Sequence, residues 1–216
     1  MSKAKYYFVP LLIATVFIFL GGFAYHQAYE NTNQLSNIRG ATRLLSNGFG
    51  NGSGVMIAPN RMLTAAHVAI VPGLVLNEKP VKVLKIDPIK DIALLEVEAD
   101  CPCVNLGKPV KVDDEIITIG YPIYNMVKLQ ILTEGRAQGV MQMTEEDGGK
   151  IANYLVITSH VAPGNSGGGV YNKRGELVGI LVGVATVNMI MFSQIIPHLA
   201  FAVNVNTIKD FLDKCS

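Results

Sequence analysis

This sequence of 216 residues is short of several things, and each shortage removes a class of function. It has no charge excess: 18 Lys and Arg stand against 17 Asp and Glu, for a formal net charge of +1. Without Lys3 and Lys5 in the N-terminal segment, 16 basic residues face 17 acidic ones. No basic stripe runs along the chain, so nucleic acid is not expected as a partner. Cysteine is limited to three residues. Cys101-Pro102-Cys103 lacks the second cluster that a zinc site needs, so no metal site is expected. The pair reads as loop thiols. If the domain is exported, Cys101 or Cys103 could instead bridge to Cys215, and the sequence does not choose between them. The Gly-rich stretch Asn47-Gly48-Phe49-Gly50-Asn51-Gly52-Ser53-Gly54 is not followed by Lys-Ser or Lys-Thr. That excludes a phosphate loop and leaves a flexible hairpin tip. No cofactor is expected. Tryptophan is absent, and nothing follows from that.

What is present points to one domain with a short appendage. Half the residues are hydrophobic and 21 are glycine, with many Val and Ile, which favours a β-rich core with tight turns. Tyr6 to Tyr25 runs 20 residues without a charge. As a helix it would span roughly 30 Å, the thickness of a bilayer's hydrocarbon core. Tyr6, Tyr7 and Tyr25 sit at its ends, as an aromatic belt would. Residues 1–25 therefore read as a signal anchor with one transmembrane helix. The alternative is a signal peptide cut near Ala24, but the apolar run is long for that. Either way Lys3 and Lys5 stay on the cytoplasmic side, and the rest of the chain faces the periplasm or exterior. Residues 26–40 are polar and read as a tether.

The remainder alternates apolar runs with turns. Ala41 to Leu45, Val55 to Ala58, Val81 to Ile86, Ile92 to Val97, Glu115 to Gly120, Leu129 to Gly135, Tyr154 to Thr158 and Phe201 to Val203 all read as strands. Val170 to Ala185 reads as a hairpin turning at Asn172-Lys173-Arg174-Gly175. Ile208, Phe211 and Leu212 have helical spacing, with Asn206 or Thr207 as the cap.

Gly164-Asn165-Ser166-Gly167-Gly168 organises the chain. Glycines on both sides let the backbone turn tightly around one hydroxyl and bring N–H groups to one spot, as a nucleophile and an oxyanion hole require. A base and an orienting acid lie upstream: His67 ends Thr64-Ala65-Ala66-His67, and Asp91 directly precedes the strand Ile92-Ala93-Leu94-Leu95. The order His67, Asp91, Ser166 is that of the chymotrypsin-type triad, not of subtilisin or the α/β-hydrolases. Asp87 is the rival acid and reads as a solvated turn residue before Pro88.

Gly52-Ser53-Gly54-Val55, Thr64-Ala65-Ala66-His67, Asp91-Ile92-Ala93-Leu94-Leu95 and Gly164-Asn165-Ser166-Gly167-Gly168 together resemble the trypsin-like serine proteases, specifically the HtrA/Deg branch. Gly175-Glu176-Leu177-Val178-Gly179-Ile180 and Ala202-Val203-Asn204 extend the likeness, which runs from about Ala41 to the C-terminus. The resemblance implies an all-β domain over 41–216: two six-stranded antiparallel β-barrels with a short C-terminal helix. It implies a serine endopeptidase acting on extended or unfolded protein and peptide substrates through His67, Asp91 and Ser166. The N–H groups of Gly164 and Ser166 would form the oxyanion hole. His160, Leu181, Val182, Gly183 and Val184 would line the specificity pocket. No acid sits at its base, so small or medium apolar side chains are expected over Lys or Arg. The alternative is a module that binds peptide or a membrane partner without turnover.

The sequence also departs from the family. Asn165 replaces the acid that trypsin-type zymogens use on activation, Gly169 stands where Pro is usual, and the PDZ domain common in the branch is not expected. Met189, Ile190, Met191, Phe192, Ile195 and Ile196 form an apolar run where the family has a specificity loop. His26 and His198 read as bystanders. The branch assembles through N-terminal aromatics, which suggests a homo-oligomer, but here that segment is taken by the anchor and tether.

Overall fold

The computed structural model describes residues 32–48, 50–124, 127–144, 151–189 and 192–213. The anchor read at Tyr6–Tyr25, His26, Cys215 and the acidic tip 145–149 lie outside those residues. Among the described residues no helix is long and apolar enough to cross a membrane. The chain divides into two units after Ser36, and the second, Asn37–Ser216, carries the architecture below.

A helix over 32–41, α1, leads into that unit. Ile38 and Ala41 at its end are fully buried, so the packed core starts inside the stretch read as a tether. Seven strands follow: β1 (Thr42–Ser46), β2 (Asn51–Ala58), β3 (Arg61–Thr64), β4 (Val75–Leu76), β5 (Lys79–Pro80), β6 (Lys82–Asp87) and β7 (Ile92–Glu96). They form one antiparallel sheet in the order β5-β4-β1-β2-β3-β7-β6. The expected first six-stranded barrel is therefore an open half-barrel. Its would-be seam lies between the edge strands β5 and β6. There Pro80 has no N–H to give a ladder, and β4 and β5 are only two residues each. A single bond from Val81 N–H to Leu74 O (3.2 Å) continues past Pro80. Gly52, Ser53 and Gly54 lie buried inside β2, not at a hairpin tip.

The C-terminal half is a closed six-stranded barrel, as expected. Its strands are β8 (Glu115–Gly120), β11 (Ile131–Thr144), β12 (Ile151–Thr158), β13 (Gly169–Asn172), β14 (Leu177–Met189) and β15 (Phe192–Asn204). They close in the order β11-β12-β15-β14-β13-β8. A small hairpin, β9 (Ile123–Tyr124) with β10 (Val127–Lys128), branches off after β8. The Met-rich stretch, set where the family has a specificity loop, belongs to the distal part of the β14–β15 hairpin, where Met189 pairs with Phe192; residues 190 and 191 lie outside the described residues.

Two short helices complete the fold: α2 (Ala66–Ala69) and α3 (Val205–Asp213). The cap of α3 is Asn204, whose Oδ1 accepts Thr207 N–H at 3.0 Å, not Asn206 or Thr207. Ile208 and Phe211 bury the inner face of α3. Cys101 and Cys103 are disulfide-bonded to each other, in place of the loop thiols or the bridge to Cys215 that the sequence suggested.

Alternation decides the core. Ile116, Leu155, Ile157, Val170, Val178 and Leu181 point into the closed barrel. A second cluster joins the half-barrel's Leu45, Val55, Met62, Leu63 and Leu95 to Ile119, Tyr171 and Ile180 of the barrel strands. Tyr171 is fully buried, and its hydroxyl meets Thr42 Oγ1 at 2.7 Å, which ties β13 to β1. The site lies along this seam.

Candidate active site

The half-barrel supplies a histidine and a carboxylate. β3 and β7 are paired with Thr64 opposite Ala93. His67 in α2, three residues beyond Thr64, is thereby brought to Asp91, two residues before Ala93. Asp91 Oδ2 accepts His67 Nδ1 at 2.8 Å, and Asp91 Oδ1 accepts the His67 backbone N–H at 2.9 Å. An ionised carboxylate can only accept. A proton on Nδ1 fits this contact, and in that tautomer Nε2 keeps its lone pair. Asp91 holds φ at 52°, a left-handed conformation that a short polar side chain tolerates. Asp87 instead caps its own turn, accepting Lys90 N–H at 3.1 Å and pairing with Lys90 Nζ at 3.4 Å.

The barrel supplies the serine. The loop before β13 is held on both sides. Gly167 N–H donates to Leu181 O at 2.7 Å, and Leu181 N–H donates to Gly168 O at 2.8 Å. Ser53 N–H donates to Ser166 O at 2.8 Å. Gly167 has φ +83°, and a Cβ there would run into Ser53 O and Thr64 Oγ1, so only glycine fits. Gly164, at φ +95°, also leaves no room for a Cβ, which would run into Tyr121 O. The backbone N–H groups of Gly164 and Ser166 donate to nothing among the described residues, while Asn165, Gly167 and Gly168 all have acceptors.

Ser53, part of the Gly52-Ser53-Gly54-Val55 motif, was given no role from the sequence. It sits under the whole loop: its Oγ donates to Gly164 O (2.9 Å) and accepts Tyr121 N–H (2.9 Å), and its carbonyl accepts Thr64 Oγ1–H (2.7 Å). The signal was a serine flanked by glycines next to an apolar strand, which reads equally well as a flexible tip.

His67 and Ser166 border one cavity of about 490 Å³. Ser166 Oγ makes its hydrogen bond to Val182 O at 3.4 Å and none to His67. Val182 is free for this because β14 bulges there: Leu181 pairs with Ala202 and Gly183 with Phe201, which skips Val182. β13 pairs with β14 only as far as Ile180, so the edge from Val182 to Val184 has no strand beside it among the described residues.

The expected pocket needs correcting at Leu181. Its side chain is fully buried in the barrel core, and both its backbone groups are taken by the nucleophile loop. Val182, Gly183 and Val184 are partly exposed. His160 is exposed, and its ring meets the His198 ring edge-on with centroids 3.9 Å apart. His198, read as a bystander, therefore packs on a predicted pocket residue. Asn165 is buried, and its Oδ1 accepts no hydrogen bond among the described residues.

A closed antiparallel barrel beside a half-barrel, with a histidine–carboxylate pair on one and a Gly-flanked serine on the other, is the chymotrypsin-like fold. A solved structure of the HtrA-type protease AlgW with tripeptide shares it, with TM-score 0.68 and 21% identity over 85% of this chain and 62% of that one. At that identity the likeness is one of fold. The family is shown by sequence: the trypsin-like peptidase domain matches residues 52–180, more than half of the chain, and the chain belongs to that family. Among curated relatives it is 33% identical over 136 residues to a probable periplasmic serine endoprotease, DegP-like, of Hahella chejuensis, covering 59% of this chain. It is 31% identical over 144 residues to the putative serine protease HhoB of Synechocystis, covering 61%. The matches span 27% and 34% of those two proteins' own lengths.

Proposed function

We propose that this protein is a serine endopeptidase in which Ser166 attacks, His67 is the base and Asp91 orients His67. The observation that carries the reading is the double hold of Asp91 on His67, at 2.8 and 2.9 Å, beside a cavity that Ser166 shares.

An extended substrate adds as a strand along the open edge Val182–Val184. A substrate N–H then takes Val182 O, which Ser166 Oγ holds by only a long 3.4 Å bond. Released, Ser166 Oγ turns toward His67 Nε2 and attacks the scissile carbonyl carbon. His67 takes the hydroxyl proton, and Asp91 stabilises the resulting imidazolium. The N–H groups of Gly164 and Ser166 receive the oxyanion, each donor worth about 10²–10³ in rate. His67 then gives its proton to the leaving amine, and the acyl-enzyme on Ser166 is hydrolysed by water. His160 and Val184 flank the acyl-side pocket, which has no acid and takes small or medium apolar side chains.

By analogy with relatives named as periplasmic, the domain works in the periplasm or outside the cell. It is either tethered by Tyr6–Tyr25 or released by cleavage near Ala24. The bond from Ser166 to Val182 supports a second reading: a latent site that binds extended peptide without turnover.

Fluorophosphonate labelling of the full chain, with Ser166→Ala and His67→Ala alongside, tests the proposal. Labelling that needs both residues is the expected result. A folded wild-type chain that never labels, even with peptide added, would sink the endopeptidase reading and leave the binding module.

A further inference from the structure

The cavity that His67 and Ser166 share does not lie on the strand expected to hold the acyl side of a substrate. None of Leu181, Val182, Gly183 or Val184 borders it. Besides His67 and Ser166 it is lined by Val68, Val71, Leu74, Ile123 and Pro163, with Asn47 and Asn51 also on its border. It therefore opens from Ser166 across His67, away from β14.

We infer that this cavity receives the substrate residue on the amine side of the scissile bond, and that it selects a medium or large apolar side chain there. The inference rests on the endopeptidase reading above. The leaving amine must sit against His67, because His67 protonates it, so the side chain attached to that amine enters whatever space adjoins the imidazole. Here that space is about 490 Å³, bordered by no Asp, Glu, Lys or Arg. A charged side chain would lose its hydration there with no partner in return.

Local packing explains the shape. Val68 follows His67 directly and packs over the bare Cα of Gly52, which keeps that wall apolar. Leu74 is buried behind it. Ile123 lines the same cavity: its backbone N–H is fixed to Pro163 O at 2.8 Å, and the residue is 48% exposed.

The test is nucleophile partitioning. The full chain is acylated with a peptide thioester, which has no amino acid after the scissile bond, in the presence of amino-acid amides. Leucinamide and phenylalaninamide are expected to trap the acyl-enzyme about tenfold better than glycinamide or aspartamide, the discrimination an apolar pocket supplies. Ile123→Arg should narrow that preference and raise trapping by aspartamide. Flat partitioning across the amides, with thioester turnover intact, overturns the inference and leaves the endopeptidase reading standing. No thioester turnover overturns that reading instead. A second readout is independent of turnover: the Ile123 δ-methyl NMR signal titrated with each amide. A shift with leucinamide and none with aspartamide supports the apolar site. An equal response, or none, overturns it even in a latent enzyme.

Discussion

The histidine and the serine are held in opposite ways. His67 and Asp91 are 24 residues apart, sit on one paired element of the half-barrel, and are joined by two short bonds. The serine loop leans on distant segments: Ser53, Leu181 and the backbone around Tyr121. The base is thus a local product of one sheet, whereas the nucleophile is positioned only when both halves are folded and docked. Damage on the base side should cost chemistry without stability. Damage on the serine side should cost both.

The largest effect is expected from Asp91→Asn. Asparagine tolerates the left-handed backbone at this position, so the fold should survive. An amide no longer dictates that Nδ1 carries the proton, and kcat should fall by about 10⁴. Stopped-flow acylation together with thermal unfolding checks both halves of the claim. A fall of tenfold or less would mean that Asp91 is not the orienting acid.

Gly167→Ala strikes the other side. Its φ of +83° and its closeness to Ser53 O leave no room for a methyl group. Backbone strain of this kind costs about 1–3 kcal/mol, and the loop should shift to relieve it. We expect a loss of activity of about 10²–10³ through the oxyanion donors, accompanied by a lower unfolding temperature. Activity lost with stability unchanged would contradict the contrast between the two sides.

Ser53→Ala is milder and sharper. It removes the donor to Gly164 O and the acceptor for Tyr121 N–H while leaving the backbone bond to Ser166 O in place. Two buried backbone groups lose a partner, at about 1–3 kcal/mol each. The expected signature is a kcat about tenfold or more below wild type with KM little changed, and Ser53→Thr should restore part of it. A change confined to KM would place Ser53 in substrate binding instead of loop positioning.

The same contrast explains what was legible in the sequence. His67, Asp91 and Ser166 stand in short local signatures, so their pairing with strands and turns could be read directly. Ser53 could not, because its bond to Gly164 crosses 111 residues and exists only after docking. Leu181 was grouped with Val182, Gly183 and Val184 as pocket lining, but its side chain is in the barrel core, and the register shift at Val182 separates it from the residues that follow. The closed barrel matched expectation. The half-barrel did not, because Pro80 and two two-residue strands interrupt the ladder where closure would occur. The Cys101–Cys103 bond spans only Pro102, a spacing that carries no sequence signal for a bridge.

The smallest predicted effect probes the seam itself. Tyr171→Phe deletes one hydroxyl between β13 and β1 but leaves Thr42 Oγ1 its bond to Ile38 O at 3.0 Å. At neutral pH the variant should lose about 1 kcal/mol. Burial holds the Tyr171 phenol well above the usual tyrosine range, against a smaller opposing pull from its bond to Thr42. Below about pH 10 both folded and unfolded chains keep this proton, so its contribution is fully present. As pH rises beyond that, the unfolded chain ionises and the folded one does not, and wild-type stability falls with a slope of up to about 1.4 kcal/mol per pH unit for this group. Tyr121 and Tyr154, also raised chiefly by burial, titrate in both proteins and cancel in the difference. The gap between wild type and Tyr171→Phe in urea unfolding should therefore shrink, then reverse, between neutral and strongly alkaline solution. A gap that stays constant with pH would mean that Tyr171 reaches solvent and that the two halves are not sealed at this point.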